Sequence, residues 1–203
     1  MPTLDGLQLI NREVIIKYLR QLLETDRKLT PFSILGLEKK VSLPFDVDGK
    51  LAFKTTIGGY IDRLDQVTDS QTGETRIRVV DYKTGGRRLK NLADIDAIFD
   101  PKNIKEHSDY YLQAFLYSHI VRKETPLPVS PSLLFIQHAG ADDYDPTLCL
   151  GREPVRDIAN VSEHFMQLLH ETINEVFNPD LAFTPTSDTD RCRNCPYATL
   201  CGR

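Results

Sequence analysis

The sequence predicts a mixed α/β domain: a central sheet of antiparallel and further strands, flanked by helices. Three observations predict it. Apolar, β-branched runs in residues 33–83 are separated by tight polar turns. Stretches with helical periodicity occupy residues 11–26, 108–123 and 155–177. A further apolar run at 131–137 falls between the last two, so strands and helices interleave.

Taken in order, Asn11 is positioned to cap a helix over residues 11–26, with Val14, Ile15, Tyr18, Leu19, Leu22 and Leu23 on its buried side. Residues 33–45 read as a strand that contains Glu38. The tract 46–50, Asp-Val-Asp-Gly-Lys, is a hairpin turn because Asp-Gly accommodates positive φ. A second strand covers 51–64, loosened at Gly58-Gly59, and a third covers 75–83 after a polar loop. Gly85-Gly86 stops it, and residues 87–107 form a connection with a short helix. Leu112, Phe115, Leu116 and His119 mark one face of the helix at 108–123. Pro131 opens the fourth strand. The helix at 155–177 uses Ile158, Val161, Phe165, Leu168, Leu169, Ile173 and Phe177, and Asn178-Pro179 ends it. The expected organisation is an N-terminal helical segment (1–30), a core (31–178) and a cysteine-rich tail (179–203).

Composition bounds the function. The chain has 203 residues, 40% of them hydrophobic and 27% charged, which suits an ordinary globular fold rather than a disordered chain. No apolar run reaches membrane-span length, and the start shows no secretory signal, so a cytoplasmic location without a membrane partner is expected. A formal net charge of −4 argues against a passive nucleic-acid coat but leaves room for an enzyme with a local basic rim. Lys39-Lys40, Lys83, Arg87-Arg88 and Lys90 are candidates for such a rim. No Gly-x-x-x-x-Gly-Lys pattern is present, so motor chemistry would have to come from elsewhere.

The chemistry concentrates in residues 57–84. Ile57-Gly-Gly-Tyr-Ile-Asp62-Arg-Leu-Asp65 is followed by Val79-Val-Asp81-Tyr82-Lys83-Thr84. Residues i and i+2 of a strand share a face, so Asp81 and Lys83 are expected side by side. Asp62 and Asp81 stand nineteen positions apart across a hairpin, a spacing that lets adjacent strands bring both carboxylates to one point. Like charges held together call for a cation, and Mg²⁺ or Mn²⁺ accepts two carboxylates plus a carbonyl while keeping several waters. Such a metal activates water for attack on phosphorus, and Lys83 is placed to orient that water or to neutralise developing charge. The competing reading makes these residues a solvated hairpin. The tail carries a second constellation, Cys192-Arg-Asn-Cys195-Pro-Tyr-Ala-Thr-Leu-Cys201, with metal-ligand spacing suited to an iron–sulfur cluster or to zinc. Cys149 stands apart in an apolar strand end and reads as a buried, inert thiol.

Gly59-Tyr-Ile-Asp62-Arg63, then Val80-Asp81-Tyr82-Lys83-Thr84-Gly85, resembles the PD-(D/E)XK nuclease superfamily in its RecB-like branch. Gln113-Ala-Phe-Leu-Tyr117 is similar to that branch's downstream Gln-x-x-x-Tyr motif, with both residues on one helical face. The cysteine tail is similar to the iron–sulfur end of AddB-type nucleases and of CRISPR adaptation nucleases. The resemblance implies a restriction-endonuclease-like core and an Mg²⁺- or Mn²⁺-dependent deoxyribonuclease, an exonuclease in particular. It makes Asp62, Asp81 and the Tyr82 carbonyl metal ligands and Lys83 the catalytic lysine. Gln113 and Tyr117 become organisers of the active site or the DNA end, and Glu38 matches a first-strand glutamate. It further implies DNA as partner, a recombinational-repair helicase–nuclease context, with a partner subunit or a helicase region of the same chain, and a 4Fe-4S cluster on Cys192, Cys195 and Cys201 in a full-length protein.

Two features depart from that pattern. The branch carries a histidine ahead of the first strand, whereas His107, His119, His138, His164 and His170 all follow Glu38. The cluster-binding families use a fourth, upstream cysteine, and none precedes Cys149. Both departures are accounted for if the sequence is a C-terminal fragment of a larger nuclease, itself inactive or poor in metal. The missing histidine also favours a catalytically silent DNA-binding or scaffolding module with the same fold.

Overall fold

The computed structural model describes residues 5–69, 72–85, 89–141, 144–186 and 188–203. Four strands form the central sheet in the order β1-β2-β3-β4. β1 (Phe32–Val47) and β2 (Phe53–Thr68) make a long antiparallel hairpin, and Gly49, with φ of 104°, supplies the turn that a side chain would resist. β2 returns antiparallel to β3 (Thr75–Lys83), and β3 pairs in parallel with β4 (Val129–Phe135). A parallel pair needs a crossover, provided here by α2 (Asp96–Phe99), a 3-10 turn (Pro101–Glu106) and α3 (Ser108–Glu124). After β4 come the short pair β5 (Cys149–Leu150) and β6 (Glu153–Pro154), then α4 (Ser162–Val176) and α5 (Thr189–Cys192). The expected mixed sheet flanked by helices is the observed fold.

α3 and α4 cover one face of the sheet. Phe115 and Phe165, both fully buried with ring centroids 5.7 Å apart, join them over Val79, Ile61 and Leu133. The other face meets α1 (Gly6–Leu29) through Leu22, which packs with Val80, Leu134 and Ala139. The Thr25 hydroxyl donates to the Ala139 carbonyl at 2.7 Å and fastens the helix there.

Four expectations are corrected. α1 begins at Gly6 rather than after Asn11, because Asp5 and Gln8 form a capping box: each side chain accepts the other's backbone N–H, at 2.8 and 3.0 Å. Its expected buried side is largely outside: Ile15, Leu19 and Leu23 are 56%, 53% and 68% exposed. The sheet beneath presents the charged side chains Arg63, Asp65 and Arg78, so Leu22 alone among the expected residues reaches an apolar partner cluster. The helix expected from residue 155 starts at Ser162. Asp157 intervenes: its carboxylate accepts the Ala159 N–H at 3.1 Å and pairs with Arg122 at 3.0 Å, which closes a 3-10 turn (Ile158–Asn160) ahead of the helix. The fourth strand occupies Val129–Phe135, two residues upstream of the expected span.

Candidate active site

The β2–β3 ladder runs from Thr68↔Thr75 to Arg63↔Val80 and stops. One more step would set Asp62 opposite Asp81. Instead the Tyr82 N–H donates to Asp62 Oδ2 at 2.7 Å, so a side chain takes the place of the ladder bond and the strands open around two acidic residues. Asp81 is 7% exposed. On the same side of β3, as strand alternation requires, Lys83 Nζ lies 2.6 Å from Asp81 Oδ2. That contact is an ion pair without hydrogen-bond geometry, and Asp81 Oδ2 has no hydrogen-bond partner in its buried setting. Burial pushes the Asp81 carboxyl up from its ordinary value, the Lys83 ammonium opposes the rise, and the Asp62 carboxylate adds to it. Asp62, Asp81 and Lys83 therefore share one site, as the spacing requires.

The first turns of α3 complete it. Gln113 Oε1 accepts a long hydrogen bond from Lys83 Nζ at 3.4 Å. Tyr117, one turn further along, is 8% exposed and brings its hydroxyl against the backbone at Gly59, where an added Cβ would collide with it. Gly58 is equally constrained, since a Cβ there would meet the Val41 carbonyl. The glycine pair before Asp62 is thus a packing requirement that admits β1 and α3 close to β2.

Tyr110 is a site residue that sequence reasoning missed. Lys83 Nζ sits 4.2 Å from its ring centroid. The signal was present: residues 110, 113 and 117 fall on a single i, i+3, i+7 stripe of α3.

Glu38 occupies β1 between the pairs Leu37↔Arg63 and Lys39↔Ile61, a register position across from Asp62. Its backbone takes a left-handed φ of 48° and the residue is exposed. Tyr82 contributes its N–H to Asp62, and its ring lies 5.8 Å from the Arg63 guanidinium. The other charges of the motif are structural. Asp65 is fully buried and grips Arg78 through two bonds of 2.8 Å, with Arg63 Nε 3.0 Å away and Arg63 in turn on Asp26 of α1 at 2.9 Å. The solvated-hairpin reading fails for Asp65, Arg63 and Asp81 alike, all of them buried.

Of the expected basic rim, Lys39 pairs with Glu124 at 3.2 Å and Lys90 with Glu106 at 3.6 Å, while Lys40 is exposed. Gly86, Arg87 and Arg88 lie outside the described residues. A cavity of about 560 Å³ beside β4 is lined in part by Leu133 and Phe135, the register partners of Asp81 and Lys83.

The chain matches the family description of the PD-(D/E)XK nuclease superfamily over residues 2–202, nearly its whole length. This chain belongs to the PD-(D/E)XK nuclease superfamily. No curated protein matches it. Within that match, Asp62 lies beside the Asp81-Tyr82-Lys83 segment, joined to it through the Tyr82 N–H, and Lys83 lies against Asp81.

Nucleases of this superfamily usually use divalent metals, and the donor set here fits one. Two carboxylates, one with a buried oxygen whose near neighbour is the Lys83 ammonium, are all-oxygen donors of the kind that would suit Mg²⁺ or Mn²⁺ rather than a soft metal. Among the described residues no group of three His, Cys, Asp or Glu side chains stands ready to hold a metal. That holds for the tail too. Cys192, Cys195 and Cys201 are free thiols, with Cys192 Sγ near the Asp188 carbonyl (3.9 Å) and the Arg203 guanidinium (3.8 Å). Cys149 is a free, half-buried thiol at the β5 edge, and burial pushes it up from its ordinary value, in line with an inert role.

Proposed function

We propose that this PD-(D/E)XK domain hydrolyses DNA phosphodiester bonds with Mg²⁺ or Mn²⁺. The observation that carries the reading is the convergence of Asp62, Asp81 and Lys83 at the point where β2 and β3 separate. Asp62 and Asp81 would hold the cation, with the Tyr82 carbonyl as a further oxygen. Bound there, the cation supplies Lewis acidity toward a phosphoryl oxygen and toward water. Lys83 places a positive charge beside the phosphate as it gains negative charge, and Gln113 steadies the ammonium from α3. Burial of Asp81 lowers the local dielectric and strengthens these interactions.

The test is digestion of linear DNA with each cation, alongside calorimetric titration of Mn²⁺. Asp81→Ala and Asp62→Ala are expected to abolish digestion and weaken Mn²⁺ binding. Lys83→Ala should lose roughly 10²–10³ in kcat. Equal digestion by wild type and Asp81→Ala would overturn the proposal. A second reading, a silent DNA-binding or scaffolding module, draws support from the lack of a third acidic or histidine ligand among the described residues. It predicts DNA binding with no metal-dependent cleavage.

The finer assignment is an exonuclease domain of an AddB-like recombinational-repair helicase–nuclease, acting with a helicase region or subunit in the cytoplasm. Its support is the order of the motifs, from Asp62 through Asp81-Tyr82-Lys83 and Gln113–Tyr117 to the cysteines. A 4Fe-4S cluster on Cys192, Cys195 and Cys201 would need a fourth ligand. Anaerobic purification of the native full-length protein tests it: brown, iron-containing protein supports the cluster, and colourless, zinc-containing protein refutes it.

A further inference from the structure

We infer that Tyr110 is a positioning residue for Lys83, holding the ammonium by its ring face so that the site's carboxylates stay available to a cation. The inference rests on the nuclease reading above. Among the described residues Lys83 Nζ meets Asp81 Oδ2 at 2.6 Å, Gln113 Oε1 at 3.4 Å and the Tyr110 ring centroid at 4.2 Å. The first of these is the group a divalent cation needs. If Asp81 alone anchored Lys83, occupation of the carboxylate by a cation would release the lysine and repel it. The Gln113 bond is long and weak. A π face attracts an ammonium without presenting a lone pair that competes for a hard cation. Tyr110 can therefore retain Lys83 in the loaded site.

The ring is itself held. His107 lies flat against it, with centroids 4.5 Å apart and planes 11° from parallel. His107 reaches this pose from a left-handed backbone, φ 61°, immediately before α3, a conformation uncommon for a non-glycine residue. Phe135, the register partner of Lys83 on β4, approaches the Tyr110 ring at 6.5 Å and 46°. The ring is thus fixed from the helix start and from the neighbouring strand at once.

Four variants of the chain test this: Tyr110→Phe, Tyr110→Leu, Lys83→Ala and the double Lys83→Ala/Tyr110→Leu. Tyr110→Leu is expected to lower kcat about tenfold with KM unchanged within about twofold, and Tyr110→Phe to stay within about twofold of wild type, because the ring and not the hydroxyl faces the ammonium. The double variant should be no slower than Lys83→Ala, since the ring acts through the lysine. A readout independent of activity is the Lys83 ε-proton resonance, moved upfield by the ring in wild type and Tyr110→Phe and returned to the ordinary position in Tyr110→Leu. Should Tyr110→Leu fail to fold, Tyr110→Met takes its place in both measurements. Wild-type kcat in Tyr110→Leu, equal losses in the Phe and Leu variants, or an additive double variant would each overturn the inference while leaving the nuclease reading standing. Full activity in Lys83→Ala would remove both together.

Discussion

Gly59 on β2 and Tyr117 on α3 are packed so closely that the tyrosine hydroxyl fills the space a Cβ on the glycine would need. The Tyr117 Cζ would also stand 2.8 Å from that Cβ. Gly59→Ala should therefore destabilise the fold by about 1–3 kcal/mol through overpacking. The double variant Gly59→Ala/Tyr117→Phe should recover part of the loss, because the hydroxyl is gone but the ring carbon remains. Denaturant unfolding of the two variants checks this. A Gly59→Ala protein as stable as wild type would show that β2 and α3 separate freely. The position also lies three residues before Asp62, so DNA cleavage should fall along with stability.

Asp65 and Asp81 are both buried acids on adjacent strands, yet substitution should affect them in opposite ways. Asp65 neutralises Arg78 through two bonds of 2.8 Å and also meets Arg63 at 3.0 Å. Asp65→Ala would leave two buried guanidinium groups short of a carboxylate, a loss of about 3–5 kcal/mol. Asp81 has a single ion-pair partner, Lys83 at 2.6 Å, among the described residues, and its carboxyl is raised by burial, so an amide in its place relieves the cost of a buried charge. Asp81→Asn should leave stability near the wild-type value while removing cleavage. Paired unfolding and cleavage assays separate the two acids: Asp65→Ala is expected to cost stability and Asp81→Asn to cost cleavage.

Much of this was legible in the sequence. The strand period placed Asp81 beside Lys83, and the hairpin length brought Asp62 to them. The Gln-x-x-x-Tyr spacing put Gln113 and Tyr117 on one face of α3. The rest needed tertiary context. Nothing local shows that the sheet beneath α1 carries an ion network instead of an apolar surface, so periodicity alone assigned Ile15, Leu19 and Leu23 to a core they do not enter. Asp157 appeared as one polar residue inside a helical pattern, and its partner Arg122 is remote in sequence. Nothing local distinguishes Tyr110 from any other helix aromatic, because its cation, Lys83, comes from a strand remote in sequence.

The exposed face of α1 gives a direct test of that correction. Leu19→Glu and Leu23→Glu, at sites 53% and 68% exposed, should each change stability by no more than about 0.5 kcal/mol. Leu22→Glu, one residue away but packed against Val80 and Leu134, should cost several times more. Thermal unfolding of the three variants reads the contrast. Equal losses at all three positions would mean that the predicted apolar stripe is buried after all.

His119 sets a pH dependence of its own. It sits on the buried side of α3, 8% exposed, with Nδ1 3.0 Å from the Ser162 hydroxyl and Nε2 without a partner. Burial, aided by the Lys123 charge, lowers it to about 4. The neutral imidazole is thus favoured in the folded chain, and the unfolded chain binds the proton more readily. The sign follows: the contribution is complete above about pH 6.5, the ordinary histidine value, and is lost as pH falls toward about 4. Its full size is about 3 kcal/mol. His119→Leu, which cannot be protonated, should therefore lose less stability than wild type between pH 7 and pH 4, with the difference growing below pH 6.5. Urea unfolding at a series of pH values measures it. Parallel curves for the two proteins would show that the imidazole takes up its proton as easily in the fold as outside it.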